Sequence, residues 1–225
     1  MTVVGCGGSG GGGGTDQSPQ VRSINAVLGV SNLETRINDT LVSSGVPYAA
    51  PSNAFVSTPA ADADFRIRRA GDPDDLDVLA FVTGQTLSYL VVGIGKLDFG
   101  TDVSKRPLLN VINVDRSTPN GTKARIIVIN GFLGAPGFDA PTVDFQDGEL
   151  PQFPIRNLDF REANTRIIDA GSYTFEVRRS ESPEMITSQA LTFVSGRVYA
   201  VLISGEQGNA AAPPTITSIE LPVRN

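Results

Sequence analysis

The sequence predicts an all-β protein made of two tandem sandwiches of antiparallel strands, and two observations, an internal repeat and the composition, support this prediction. FRIRR at 65–69 returns as FEVRR at 175–179, an offset of 110 residues from position 65 to position 175. A repeat of that length indicates a duplicated domain, because solenoid repeats run only about 20 to 50 residues. The chain also has 24 glycines, 15 prolines and 40% hydrophobic residues, a composition typical of short strands joined by tight turns.

The repeat divides the chain into three parts. Residues 1–19 are predicted to be a disordered glycine-rich tail, residues 20–116 the first sandwich and residues 117–225 the second. Each repeat has roughly 100 residues, which is enough to bury its own core. The connection RSTPNGT at 116–122 contains a proline and an Asn-Gly turn signal. Because this connection is short, we expect the repeats to move little relative to one another.

Hydrophobic patterns predict the individual strands. In 173–179, Tyr173, Phe175 and Val177 alternate with polar residues, the period of a half-buried strand. Segments 87–95 and 197–205 are apolar on both faces, which is typical of central strands covered on two sides.

Local motifs carry a resemblance to a known family. The opening strand of each repeat ends at an asparagine, Asn25 and Asn130, and AGSYTF at 170–175 leads to a strand that ends at Gly205. With these features, residues 20–223 resemble two copies of the bacterial family called domain of unknown function 4397. The first copy departs from the pattern, with AADADF at 60–65 in place of AGSYTF. The resemblance implies immunoglobulin-like or transthyretin-like sandwiches on the bacterial surface or in the periplasm. It implies no activity and no site residues.

The amino terminus resembles a bacterial lipobox. Val3 stands three places before Cys6 and the small residue Gly5 stands directly before it. The resemblance implies cleavage before Cys6, lipidation of its sulfur and attachment to a membrane of the cell envelope. A full signal also needs a charged and an apolar segment, so we expect the natural chain to begin further upstream. The glycines of 7–14 form a flexible tether in this interpretation. The alternative is a chance cysteine in a disordered cytosolic tail.

Composition argues against several other functions. The formal charge of −6 and the pI near 4.7 oppose binding to nucleic acid at long range. The chain contains no histidine, the usual general base near neutral pH. With one cysteine it can form neither an internal disulfide nor a cysteine-cluster metal site. No cofactor is therefore expected.

Charged residues form two candidate sites. The carboxylates of Asp72, Asp74, Asp75 and Asp77 are candidate calcium ligands, although the glycine and distal glutamate of an EF-hand loop are missing. The favoured alternative is a solvated hairpin loop. Arginines lie on the polar faces of two equivalent strands, and we expect cross-strand carboxylates to pair with them, with ligand binding as the alternative. They are Arg66, Arg68, Arg69, Arg178 and Arg179.

The segment 131–154 is the candidate recognition loop, because it is the longest stretch of irregular sequence. It carries Phe132, Phe138, Phe145 and Phe153 among glycines and prolines. Loops on a rigid sandwich commonly carry binding residues, and a carbohydrate or a peptide can stack on such rings. The alternative is that these phenylalanines belong to the core.

Two functions remain after these exclusions. The first is a non-catalytic, lipid-anchored protein of the bacterial cell envelope that acts as a binding, adhesive or spacer module, with an envelope protein or a glycan as its partner. The alternative is a periplasmic carboxylate-dependent hydrolase, such as a glycosidase with two carboxyl groups about 5 to 9.5 Å apart.

Overall fold

The structure, a computed structural model, describes residues 18–135, 138–148, 155–180, 182 and 184–224. The predicted tail with Cys6 lies outside these residues. The described part of the chain contains strands and one 3₁₀ helix, Val103–Lys105, but no α-helix. None of its helices has the length and apolarity needed to cross a bilayer. The all-β prediction is confirmed.

The first repeat contains nine strands. They are β1 (Gln20–Leu28), β2 (Asn32–Ile37), β3 (Thr40–Pro47), β4 (Ala50–Pro51), β5 (Val56–Ser57), β6 (Asp62–Arg69), β7 (Asp75–Val82), β8 (Ser88–Lys96) and β9 (Leu108–Asn113).

The second repeat contains eight described strands in an equivalent order. They are β10 (Lys123–Asn130), β11 (Val143–Asp147), β12 (Ile155–Leu158), β13 (Ala163–Asp169), β14 (Gly171–Arg179), β15 (Met185–Phe193), β16 (Val198–Ser204) and β17 (Thr215–Leu221).

Each repeat forms two sheets. In the first repeat, strands β3-β2-β6-β7 form the first outer sheet, and β4-β1-β8-β9 form the first inner sheet, with β5 also paired to β1. In the second repeat, β12-β11-β14-β15 form the second outer sheet and β13-β10-β16-β17 the second inner sheet. Most pairs are antiparallel, but β1 and β8 are parallel, as are β10 and β16. The predicted sandwiches are antiparallel throughout, whereas each inner sheet contains this one parallel pair, whose two strands are joined by the long excursion through the outer sheet.

A separate core fills each sandwich. In the first repeat, Phe65 and Ile67 of the outer sheet pack with Tyr89 and Val91 of the inner sheet. In the second repeat, Phe175 and Val177 occupy the same positions and pack with Tyr199 and Val201. The predicted inward faces of β6 and β14 are therefore confirmed.

A third apolar layer joins the two repeats, and it lies between the two inner sheets. The side chains that alternate with those of the cores point into it. From the first repeat they include Ile24, Leu90, Val92 and Ile94, and from the second Ile127, Ile129, Val198, Ala200 and Leu202. The molecule is thus four stacked sheets, outer, inner, inner and outer. This arrangement explains why β8 and β16 are apolar on both faces.

The two asparagines that mark the repeats have the same role in both. Asn25 is fully buried, and its amide donates to the carbonyl oxygens of Val30 and Val46 at 2.8 and 3.0 Å. Asn130 is equally buried and donates to the carbonyl oxygens of Leu158 at 3.0 Å and Pro141 at 3.4 Å. Each side chain thereby ties one carbonyl oxygen of the connection after its own strand, that of Val30 or Pro141, to one at the end of an outer-sheet strand, that of Val46 or Leu158. The predicted strand end is correct for Asn130, whereas β1 continues past Asn25 to Leu28.

Polar contacts at the rim of the apolar layer also connect the repeats. Lys96 of β8 pairs with Glu206 of the second repeat at 2.7 Å, and Glu206 is 2% exposed. The backbone N–H of Gly205 donates to the Tyr48 hydroxyl at 3.0 Å. The connection itself is fixed, because Arg125 donates to the carbonyl oxygens of Asp115 and Ser117. The two repeats therefore pack as one body.

The apolar layer generates a prediction for Leu202→Ala. Leu202 is fully buried between the inner sheets, so its truncation should lower the free energy of unfolding by about 2 to 5 kcal/mol through cavity formation. Denaturant unfolding should show one transition, shifted to lower denaturant with an unchanged slope. Leu41→Ala is the control, because Leu41 is 50% exposed and its loss should change stability by less than about 0.5 kcal/mol. Two separate transitions, with the first repeat unaffected by Leu202→Ala, would contradict the coupling.

Candidate functional site

The candidate recognition loop is an enlarged connection between equivalent strands. In the first repeat, residues 29–31 join β1 to β2, whereas in the second repeat residues 131–142 join β10 to β11. The rest of the predicted loop is not all irregular, because β11 occupies its middle. The second repeat therefore carries an insertion at this end of the sandwich.

The structure separates the four phenylalanines of the predicted loop. Phe132 and Phe145 are fully buried, and the Phe145 ring stacks on Phe175 with centroids 4.5 Å apart. These two rings belong to the core of the second repeat, as the alternative interpretation of the sequence expected. They are therefore not available to a ligand at the surface. Phe138 is 69% exposed, while Phe153 lies outside the described residues.

A lysine of the first repeat holds the inserted loop in place. Lys105 lies in the 3₁₀ helix and is 3% exposed. Its ammonium donates to the carbonyl oxygens of Ala135, at 3.3 Å, and of Phe138. It also pairs with Asp102 at 3.2 Å. Hydrogen bonds from Ser104, then the neighbouring Lys105, hold the pKa of Asp102 below its usual value despite partial desolvation. The exposed Phe138 is thus presented by a loop that contacts both repeats.

The structure divides the four candidate calcium ligands among different partners. Asp72 accepts a hydrogen bond from the N–H of Asp74 and pairs with Arg69. Both contacts lower the pKa of Asp72, and the hydrogen bond from the N–H lowers it more than the contact with Arg69 does. Asp75 lies in β7, and Asp77 accepts the N–H of Leu109 at 2.8 Å. No group of three or more histidine, cysteine or acidic residues suited to a metal occurs within the described ranges. The turn before β7 is an exposed hairpin, in agreement with the favoured alternative to a calcium site.

The predicted cross-strand pairing of the arginine stripe is confirmed on the first outer sheet, whereas on the second the ion pair of Arg178 is with a carboxylate of its own strand. On the first outer sheet, Arg66 and Arg68 pair with Asp75 of the neighbouring strand at 3.0 and 2.7 Å. On the second outer sheet, Arg178 pairs with Glu176 at 2.7 Å. Partly exposed pairs of this kind contribute about 0 to 1 kcal/mol each. Most of their donors are used within the sheet, although Nε of Arg66 is buried without a hydrogen-bond partner.

The carboxylates do not favour the hydrolase alternative. A glycosidase needs one carboxyl group whose pKa is raised so that it can act as an acid. Among the described carboxylates, the shifted ones are Asp72, Asp102 and Asp115, and all three have a lowered pKa. For Asp115, burial opposes ionisation most strongly, but hydrogen bonds from Ser117 and the charge of Arg125 together outweigh it. These three carboxyl groups therefore do not suit the role of the acid.

The lysine contact predicts the effect of Lys105→Met. The substitution keeps most of the buried side-chain volume but removes the donor shared by the carbonyls of Ala135 and Phe138. Backbone amides of the described part of 131–142 should exchange with deuterium about ten to a hundred times faster, since hydrogen bonds to a charged donor contribute about 1.5 to 3 kcal/mol. Lys123→Met is the control, because the Lys123 side chain is 45% exposed and pairs with Asp169 on β13, away from the loop. Unchanged exchange in the Lys105 variant would show that the loop is held by other contacts.

Comparisons with known proteins provide structural similarities of low identity. No protein-family model matches this chain, and no curated protein matches its sequence. The TIE protein of Bacillus anthracis is similar over 92% of this chain, with 8% identity and a TM-score of 0.28, and the match spans 44% of that protein. A family 26 carbohydrate-binding module of Eubacterium rectale, solved with maltoheptaose, is similar over 89% of this chain and 96% of its own, with 10% identity and a TM-score of 0.25. A Bacteroides ovatus protein assigned to cell adhesion is similar over 94% of this chain and 100% of its own, with 11% identity and a TM-score of 0.28.

Proposed function

We propose that this protein is a non-catalytic module of the bacterial cell envelope that binds or adheres to a partner through the inserted loop of the second repeat. We further propose that Cys6 carries a lipid anchor and that the repeats belong to the domain of unknown function 4397 family. The observation that carries the binding proposal is Phe138, whose ring is 69% exposed on a loop held by the buried Lys105.

The energetics of recognition favour this loop as the binding surface. A large exposed apolar ring gains free energy when a partner covers it, and aromatic residues are enriched among the residues that dominate interfaces. A loop that is already fixed loses little conformational entropy on binding. The four-sheet body supports the same function, because it holds the loop at a fixed position relative to the first repeat.

The lipid anchor fits the same proposal. The glycine-rich segment 7–14 would separate the sandwiches from a membrane, so that the loop reaches partners in the surrounding envelope. The envelope glycans and the proteins embedded in them are the partner classes expected at such a location.

The anchor predicts the outcome for Cys6→Ser. When the gene is expressed from its own locus in its host, the wild-type protein should fractionate with membranes. Mass spectrometry of its amino-terminal peptide should show acyl chains on Cys6. The Cys6→Ser protein should be released into the soluble fraction, because the acyl chains supply the membrane affinity. An unmodified thiol in the native protein would contradict the anchor without bearing on the binding loop.

The binding surface predicts the outcome for Phe138→Ser. Immobilised protein should retain an envelope polysaccharide or an extracted envelope protein, and Phe138→Ser should weaken that binding about thirtyfold, since a dominant interface residue contributes about 2 kcal/mol or more. Val82→Ser is the matched control, because Val82 is 65% exposed but lies on β7 of the first outer sheet. Equal retention by the Phe138 variant and the wild type would exclude the loop as the contact. Absence of any bound partner would leave a spacer as the remaining role.

A further inference from the structure

Two buried arginines at the seam between the repeats have only neutral hydrogen-bond partners among the residues that the structure describes. Arg22 is 8% exposed and donates to the carbonyl oxygens of Ser52 and Glu220 at 2.9 and 3.0 Å. Arg116 is 6% exposed and donates to the carbonyl oxygen of Pro222 at 2.7 Å and to the side-chain oxygen of Gln20 at 2.9 Å.

The two guanidinium groups also share one aromatic ring. The Cζ atom of Arg116 lies 3.7 Å from the centroid of Phe55, and that of Arg22 lies 5.9 Å from it. Within the described part of the chain, no carboxylate oxygen lies within 4.0 Å of a nitrogen of either guanidinium. Buried arginines are ordinarily paired with an acid. The seam therefore contains positive charge that its described neighbours do not neutralise.

The charge imbalance affects Arg116 most. Burial, followed by repulsion from Arg224 and Arg22, lowers the pKa of Arg116 to about 10. A lowered pKa for a cation means that its charged form is disfavoured in this environment. An anion near Arg116 would reverse that shift, so the site gains free energy when negative charge enters it.

A cleft of about 460 Å³ opens beside Arg116. Arg224 lines it as well, together with three residues that carry hydroxyl or amide side chains, Ser117, Thr165 and Asn113. The volume lies within the range of about 300 to 1,000 Å³ found for small-molecule sites, and it exceeds what a single ion needs. The cleft therefore combines positive charge with several uncharged polar groups.

One acidic residue, Asp115, also lines the cleft, and its charge is already compensated. Its carboxylate pairs with Arg125 at 2.8 Å and accepts the N–H of Ser117 at 2.9 Å. Among the described residues, the charge that remains without an acidic partner beside the cleft is therefore that of Arg116, in a protein whose overall charge is −6. Because that overall charge repels long polyanions, the cleft suits a short ligand with one acidic group.

We propose that the cleft between the repeats binds an acidic sugar, whose carboxylate is held by Arg116 and whose hydroxyls contact Ser117, Thr165 and Asn113. The guanidinium supplies charge-assisted hydrogen bonds to the carboxylate. The hydroxyl and amide side chains exchange hydrogen bonds with the sugar ring. This inference rests on the proposed binding function only in the choice of a sugar as the ligand class, and the cleft is a separate site from the Phe138 loop.

Calorimetry on the full chain with glucuronate and glucose tests the proposal, because the two sugars differ by one carboxylate. Glucuronate should bind and glucose should not. Arg116→Gln and Thr165→Trp should each weaken glucuronate binding about tenfold or more, the first by removing the charge and the second by filling the cleft. Arg156→Gln is the control, because Arg156 is exposed on β12 of the second outer sheet, and it should bind as the wild type does.

Thermal unfolding shows whether each variant is folded. If Arg116→Gln destabilises the protein, Thr165→Trp still tests the cleft, because it leaves every charge at the seam in place. Equal binding of glucose and glucuronate, or no binding of glucuronate, would overturn the proposal. So would sulfate binding without glucuronate binding, which would identify a site for small ions alone. The result does not depend on Cys6 or Phe138, so failure here leaves the tests of the proposed function unaffected.

Discussion

The apolar layer between the two inner sheets determines how the rest of the molecule is arranged. Strands β8 and β16 are covered on both faces, one face by their own outer sheet and the other by the partner repeat. Each fully buried aliphatic side chain in this layer contributes about 1.5 to 3 kcal/mol relative to an exposed one. Separating the repeats would expose all of these side chains together. The tandem is therefore held by burial of apolar surface, and the short connection fixes its geometry.

Both candidate sites depend on this packing. The inserted loop belongs to the second repeat, yet the buried ammonium that holds it comes from Lys105 of the first. The cleft at the seam likewise takes Arg116 from the connection, Thr165 from β13 and Asn113 from β9. Neither site is complete within a single repeat. Duplication followed by face-to-face packing has thus created surfaces that one copy alone does not have.

Electrostatics distinguish structural charges from the candidate functional ones. On the first outer sheet, arginines pair with a carboxylate of the neighbouring strand, as Arg68 and Asp75 do at 2.7 Å, and on the second Arg178 pairs with Glu176 of its own strand. At the seam, Arg22 and Arg116 bind carbonyl and amide oxygens instead, and these neutral acceptors orient a guanidinium without cancelling its charge. The sequence pointed to the stripe at 66–69, where the positive residues are adjacent, and missed the seam, where residues distant in the chain meet.

The sequence by itself determined the secondary structure and the duplication, because both depend on local patterns. Alternation placed Phe175 and Val177 on the inward face of β14, and the repeated FRIRR motif identified the equivalent strand. Only the tertiary structure decided which phenylalanines are exposed: Phe132 and Phe145 lie in the core, while Phe138 lies on the surface. The tertiary structure also decided which surface covers the second face of β8. An apolar face indicates that it will be buried, but it does not indicate which surface will bury it. Hydrophobic burial is non-directional, and the identity of the covering surface follows only from the packing of the whole chain.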